Sequence, residues 1–309
     1  MCAVHCLLYT EHGKQQTVHY GGRAMSDEIK RLATYVQKGG VAKTTSSSHI
    51  AVSAAQDHDL DVVLIDLAGT QNDLATNFGV DLPTDEEDKP NPDAPVSAIF
   101  GENWEFIRTN IDDVVDRMVF ETDEGPDLIP ADPGLGGANN NLANVPLDER
   151  FTVLDDFVSD ELAPRYDLVI MDLPGNENNI VLNGLFAAQQ TFAPLRPGQF
   201  ELNQLDNLER DLETISEKHD GVDPELVMVA PTMIDKREPE HKRFARTVED
   251  EFSDIVGPRI SKTTDIGREQ GNGQTIFALE DDELLDTAER AREAYRDLTT
   301  DLLDRLEAR

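Results

Sequence analysis

Residues Lys38 to Thr45 read Lys-Gly-Gly-Val-Ala-Lys-Thr-Thr, directly after the apolar run Leu32-Ala33-Thr34-Tyr35-Val36. A glycine-rich turn between a strand and a helix can point consecutive backbone N–H groups inward, where they hold phosphate oxygens. A lysine near the end of such a loop reaches the β- and γ-phosphates, and the hydroxyl after it holds Mg²⁺. Lys43 and Thr44 occupy those positions, and Gly39, Gly40, Val41, Ala42 and Thr45 complete the cradle. The segment from Thr45 into Ala51-Val52-Ser53-Ala54-Ala55 is predicted to be helical, with its positive end aimed at the phosphates. A nucleoside triphosphate with Mg²⁺ is the expected ligand.

The loop departs from the general pattern. Gln37 and Ala42 stand where glycine is usual, and Lys38 is an additional lysine. Gln-Lys-Gly-Gly-x-x-Lys-Thr-Thr resembles the deviant Walker A loop of the ParA/MinD ATPases, and Gln37 resembles the ParA partition branch. The resemblance implies that Lys38 crosses a homodimer interface and touches the ATP of the other subunit.

Two apolar runs end in aspartate. Val63-Leu64-Ile65-Asp66-Leu67-Ala68-Gly69 is similar to the family's second strand, which usually ends Asp-x-Asp. Asp66 matches the first aspartate, a candidate for Mg²⁺ and for catalysis beside Lys38 and Lys43. The family's second aspartate orients the attacking water, and alanine at position 68 can neither accept a proton nor orient water. Gln71 and Asp73 follow in the same segment as candidate substitutes. Tyr166-Asp167-Leu168-Val169-Ile170-Met171-Asp172-Leu173-Pro174 has the Walker B arrangement, with Asp172 on the Mg²⁺ hydration shell. Pro174-Gly175 and Asn183 follow, and in the family this Pro-containing turn senses the γ-phosphate. Thr232-Met233-Ile234-Asp235-Lys236-Arg237 resembles the family segment at the adenine base, with Thr232 and Arg237 as nucleotide contacts. Leu128-Ile129-Pro130-Ala131, Pro194-Leu195 and Gly273-x-Thr275-Ile276 extend the resemblance over about residues 31–300.

Short apolar runs alternating with helical stretches predict an α/β fold, a doubly wound and mostly parallel sheet flanked by helices. Expected strands are Leu32–Val36, Val62–Asp66, Leu128–Pro130, Leu168–Asp172, Gln190–Ala193 and Leu226–Pro231, with Ile255 to Ile260 as a late edge strand. Pro83 to Pro95 and the Gly- and Asn-rich stretch Gly134 to Asn144 read as loops. Leu284, Ala288, Ala291, Tyr295, Leu298, Leu302 and Leu306 recur at helical spacing and predict a terminal amphipathic helix on the sheet.

The chain has 309 residues and a formal net charge of −35, from 62 acidic and 27 basic residues. That charge repels itself at low ionic strength. It is suited to a high-salt cytoplasm, where screening is nearly complete, and a haloarchaeal origin is the expectation. Cys2 and Cys6 sit together at one end, which is no disulfide framework. No apolar run reaches the length of a membrane span. Residues 1–24 are too short in their apolar core for a signal peptide. The resemblance begins after Met25, so residues 1–24 are expected to be an unstructured or mis-called extension, and 25–309 a single domain.

From Lys236 to Arg246 the charge reverses locally, with Lys236, Arg237, Lys242, Arg243 and Arg246 against Glu238 and Glu240. Two readings stay open. Lys242, Arg243 and Arg246, extended by Arg259, Lys262 and Arg268, hold DNA phosphates as in ParA relatives; or they form a solvated helix face paired with Glu249, Asp250 and Glu251. The resemblance implies a cytoplasmic partition ATPase, nucleoid-associated when on DNA. ATP would join two subunits, and a ParB-like centromere-binding partner would trigger hydrolysis. A MinD-like spatial regulator predicts a basic amphipathic C-terminus, and Asp301-Leu302-Leu303-Asp304-Arg305-Leu306-Glu307 is acidic. A nucleotide-dependent scaffold with little hydrolysis is favoured by Ala42 and Ala68. ATP-dependent amide ligases and metal-insertion ATPases are more distant alternatives.

Overall fold

A computed structural model describes residues 29–69, 73–86, 91–146, 149–176, 178–198, 201–218 and 223–308. Cys2, Cys6, Met25 and Gln71 lie outside the described residues. In chain order the elements are β1 (Lys30–Thr34), α1 (Lys43–His58), β2 (Val62–Asp66), α2 (Asp73–Asn77), α3 (Trp104–Asn110), β3 (Asp127–Ile129), α4 (Leu135–Asn144), α5 (Val153–Phe157), β4 (Leu168–Asp172), α6 (Asn179–Ala188), β5 (Gln190–Leu195), α7 (Glu201–Lys218), β6 (Glu225–Pro231), α8 (Pro239–Glu251), α9 (Thr264–Gly271) and α10 (Asp286–Glu307).

The six strands form one parallel sheet in the order β3-β2-β4-β1-β5-β6. Parallel strands need crossover connections, which cover both faces with helices, so the central strands are apolar on both sides. Val62 and Leu64 of β2 and Leu168 and Ile170 of β4 face one core, with Ile50, Tyr295 and Leu298 from α1 and α10. Val63, Ile65, Val169 and Met171 face the opposite core, with Leu135, Leu154, Leu185 and Leu208 from α4 to α7. This period of two is the pleat itself. The apolar stripe read from Ala288 to Leu306 is buried on α10. Among the described residues, no helix is long and apolar enough to cross a membrane.

Two expectations are corrected. Residues 135–144 are helix α4, not a loop. Glycine and asparagine are poor helix formers, but Leu135, Ala138 and Leu142 fall on one face and are buried. Asn139 also locks onto the start of α6: its Oδ1 accepts from the Asn179 N–H at 2.9 Å, and its carbonyl accepts from Asn179 Nδ2 at 3.1 Å. Tertiary packing overrides local propensity here. The late edge strand does not form either. Residues 255 to 261 run beside β6 and the segment after it with two isolated parallel bridges, Val229 with Val256 and Ile234 with Ser261, and one further bond from the Ile260 N–H to the Pro231 carbonyl at 2.8 Å. In the register of the first bridge the next donor from β6 would be Pro231, which has no N–H, and its carbonyl accepts from Ile260 rather than Arg259, one residue out of step.

Candidate nucleotide site

The order of the strands reverses at β1 and β4, and open α/β sheets bind ligands outside the strand C-termini at such a point. Register brings the chemistry together there. Thr34 is level with Asp172 across β1 and β4, and Asp66 is level with Asp172 across β2 and β4. The loop from Lys38 leaves β1 at this edge and ends in α1. Gly40 and Ala42 both have φ of 70°, in the left-handed region. Glycine adopts it freely, whereas alanine at φ 70° carries roughly 1–2 kcal/mol of strain.

Among the described residues, no hydrogen bond uses the backbone N–H groups from Gly39 to Thr45. Lys43 Nζ donates to the Lys38 carbonyl at 2.7 Å. Its side chain is buried, and desolvation lowers its pKa, opposed by the charge of Asp172. Thr44 Oγ1 donates to Asp172 Oδ2 at 2.6 Å, and Ser47 Oγ to Asp172 Oδ1 at 3.2 Å. Asp66 and Asp172 are buried. Burial pushes both carboxyls up, and for Asp66 the neighbouring Asp172 charge adds to the effect. Two buried carboxylates with a threonine hydroxyl beside them form a hard oxygen donor set suited to Mg²⁺.

Ala68 holds no carboxylate, but its N–H donates to Asp66 Oδ1 at 3.0 Å. Asp73, at the start of α2, lines the same cavity as Lys43 and Thr44. That cavity is about 400 Å³, the size of a small-molecule site. It is lined by the loop residues Gly40, Ala42, Lys43, Thr44 and Thr45, and by Thr232, Met233, Ile260 and Ile266. Thr232 is buried, and its Oγ1 donates to the Val41 carbonyl at 3.4 Å. Met233 sits at φ 55° and is 38 % exposed. Arg237 is not on this wall. Its guanidinium is 91 % exposed and binds Asp235, holding that carboxyl below the usual range. Asn183 is buried in α6 and bonds the Arg150 carbonyl and the Leu154 N–H, so its task lies in the packing of α5 on α6.

The α9 contribution was not foreseen. Gln270 Nε2 donates to Thr45 Oγ1 at 3.0 Å, and Ile266 and Gly267 line the cavity beside it. In the sequence only the apolar Ile260 points to this wall, and its run predicts a strand rather than a cavity lining.

A second recess of about 480 Å³ shares Ser261, Lys262 and Thr263 with the first and is lined also by Lys236, Arg237 and Arg290. Lys236, Lys242, Arg243, Arg246, Lys262 and Arg290 have no ion-pair or side-chain hydrogen-bond partner among the described residues. Arg259 and Arg268 differ: they pair with Glu249 and with Asp265 and Glu269.

A family model described as an AAA domain matches residues 29–227. The chain belongs to that AAA-domain family. The chromosome-partitioning ATPase Soj of Thermus thermophilus is 29 % identical over 68 % of this chain and 72 % of its own. The chromosome partitioning protein ParA of Caulobacter vibrioides is 28 % identical over 75 % and 79 %. Two solved structures share the fold. One is a putative plasmid partition protein of Borrelia burgdorferi bound to AMPPNP, with TM-score 0.67, 19 % identity, and 90 % and 99 % coverage. The other is cobyrinic acid a,c-diamide synthase of Mycobacterium smegmatis with bound ATP analog and magnesium, with TM-score 0.65, 24 % identity, and 91 % and 96 % coverage.

Proposed function

We propose that this AAA-domain protein binds ATP with Mg²⁺ and works as a partition ATPase of the ParA kind. The observation that carries the reading is the run of N–H groups from Gly39 to Thr45 without a partner among the described residues, in the same loop as the buried Lys43 ammonium. Free donors beside a cation at a helix N-terminus suit a polyphosphate. Lys43 would exchange the Lys38 carbonyl for phosphate oxygens. Asp66, Asp172 and Thr44 would hold Mg²⁺, which neutralises charge developing on the phosphoryl oxygens. Thr232 and the apolar walls around it would take the base. The test is calorimetric titration of Lys43→Ala with ATP and Mg²⁺, which should abolish binding. Undiminished affinity removes the reading.

Partition follows from the relatives and from two local features. Lys38 is half-buried beside the loop, and its likeness to the early lysine of the ParA/MinD loop would have it reach a second subunit, so ATP should produce a homodimer that Lys38→Ala blocks. The unpaired cations Lys242, Arg243 and Arg246 on α8, joined by Lys236, Lys262 and Arg290, form a positive face on an acidic protein. That face suits non-specific DNA, and the binding should be strongly salt-dependent. It replaces the extension through Arg259 and Arg268, whose charges are already matched. A ParB-like partner completes the cycle, and the place of action is cytoplasmic, on the nucleoid. An Arg243→Glu/Arg246→Glu variant that binds DNA as the wild type does would assign the face to solvation.

A low-turnover scaffold is the second reading, favoured by Ala68. Its N–H steadies Asp66, but no side chain at position 68 can orient water. Ala68→Asp should raise hydrolysis, by up to the roughly 10²–10⁴-fold that acid–base and positioning groups supply. A wild type that already turns over briskly, unimproved by the aspartate, would show Asp73 or a partner residue doing that task.

A further inference from the structure

The leading half of the phosphate loop is held from outside by the connection that follows β5. Arg196 Nη1 donates to the Gly40 carbonyl at 2.9 Å. Asn207 Nδ2, on α7, donates to Gln37 Oε1 at 3.0 Å. Gln37 and Gly40 flank Lys38 and Gly39, so one connection grips both ends of this half-loop.

The Arg196 bond has a consequence set by peptide geometry. A trans peptide is planar, with its C=O and the next N–H pointing in opposite directions, and no cis peptide occurs among the described residues. A guanidinium that holds the Gly40 carbonyl on one side therefore turns the Val41 N–H away from itself. That N–H is one of the unused donors. Gly40, at φ 70°, has no Cβ to fix this peptide by itself, so the plane can flip without a restraint. A carbonyl turned inward would face phosphate oxygens and repel them.

We propose that Arg196 is a positioning residue for phosphate binding, fixing the Gly40–Val41 peptide so that the Val41 N–H donates to a phosphoryl oxygen of the bound nucleotide. The inference rests on the nucleotide reading above and assigns Arg196 a task within it. The bond is charge-assisted, from a planar donor that keeps its charge at any working pH. Lysine can supply the charge but not the planar fork. Asparagine or glutamine can supply a donor but not the charge. Asn207 is the internal contrast, because its bond reaches a side chain and leaves the Gly40 peptide alone.

The experiment is calorimetric titration of the full chain with ADP and with AMP, each with Mg²⁺, for wild type, Arg196→Ala, Arg196→Lys and Asn207→Leu. Arg196→Ala should weaken ADP by roughly tenfold or more, the range expected for one bond to a charged group. AMP, which lacks the β-phosphoryl group, should lose much less. Arg196→Lys should recover part of the ADP affinity, and Asn207→Leu should fall well short of Arg196→Ala. Unchanged ADP affinity in Arg196→Ala overturns the proposal. So does an equal loss for ADP and AMP, or an equal loss in Asn207→Leu, either of which marks general tethering. If Arg196→Ala melts early, Arg196→Gln takes its place under the same criteria. Lys43→Ala, run alongside, separates the two levels. If it still binds ADP, the nucleotide reading fails; if it loses ADP while Arg196→Ala does not, only the positioning role fails.

Discussion

Gly175→Ala should damage the phosphate loop by pressing on its backbone from the turn after β4. Gly175 follows Pro174 in the turn after β4, and a Cβ there would lie 2.7 Å from the Lys38 carbonyl carbon, 2.8 Å from its oxygen and 3.0 Å from the Gly39 nitrogen. All three atoms are backbone, so no rotamer change can give way. Comfortable carbon–carbon contact begins near 3.5 Å, so the two segments must part by about 0.8 Å. Overpacking of this kind typically costs about 1–3 kcal/mol. The displaced peptide carries the oxygen that accepts Lys43 Nζ at 2.7 Å, and a shift of that size brings the bond to the limit of hydrogen-bond distance. If the loop absorbs the strain, nucleotide affinity falls by roughly five- to a hundredfold, at about 1.4 kcal/mol per factor of ten. If the turn absorbs it, the melting midpoint falls instead. Calorimetric titration with ADP and Mg²⁺, with a thermal melt of the nucleotide-free protein, distinguishes the two. Gly137→Ala is the control: nothing lies within 4 Å of its added Cβ, and it sits in α4, so it should stabilise by about 0.5–1 kcal/mol. A Gly175→Ala variant that melts and binds like wild type would refute the contact and, with it, the coupling of this turn to Lys38.

Ala42→Gly should relieve a residue at φ 70° and raise stability by up to about 1 kcal/mol, after the greater freedom of glycine in the unfolded chain is subtracted; denaturant midpoints measure it. His49 is fully buried, stacks on Tyr295 with centroids 4.6 Å apart, and is held by burial to a pKa of about 4. Its folded pKa is below the unfolded value, so stability is present above about pH 6.5 and is lost as pH falls through about 4, amounting to about 2 kcal/mol by pH 5; His49→Asn should flatten the melting midpoint between pH 7 and 5. The Asp66 carboxyl has the opposite sign, because its folded pKa is raised. Ionising it opposes folding as pH rises above the unfolded carboxylate range. Asp66→Asn should therefore raise the midpoint at pH 7 in chelator and reduce the further gain on adding Mg²⁺.

The sheet was legible because its residues are apolar in short runs and nothing else competes for them. β2 and β4 match their sequence runs end to end, and the flanking helices follow from the crossovers that parallel strands require. The failures share one cause. Glycine and asparagine argue against α4, yet Asn139 earns its place by capping the backbone of α6, a partner 40 residues away. Ile255 to Ile260 is apolar enough for a strand, but Pro231 of β6 has no N–H for the next rung of the ladder. Local preference was read correctly in both cases, and long-range bonding decided the outcome.

The candidate site divides along the same line. Lys43, Thr44, Asp66 and Asp172 come together at one edge of the sheet, and each stands at a strand end or loop position where its chemistry has few other uses. Arg237 matched a pattern, but a carboxylate two residues earlier holds its guanidinium in solvent. Arg196, Gln270 and Gly175 act on the loop from the connection after β5, from α9 and from the turn after β4, and nothing in their own neighbourhoods announces it. What they touch are backbone atoms or hydroxyls of residues 38–45, which sequence spacing cannot reveal. The phosphate loop thus depends on two kinds of residue. Those inside it set which ligand can bind and are written in a short pattern. Those outside it set how firmly the N–H groups point inward, and they become visible only when the sheet brings three distant segments to one edge. For a loop with strained alanine at position 42, the outer residues carry more of that task than they would for a loop with glycine there.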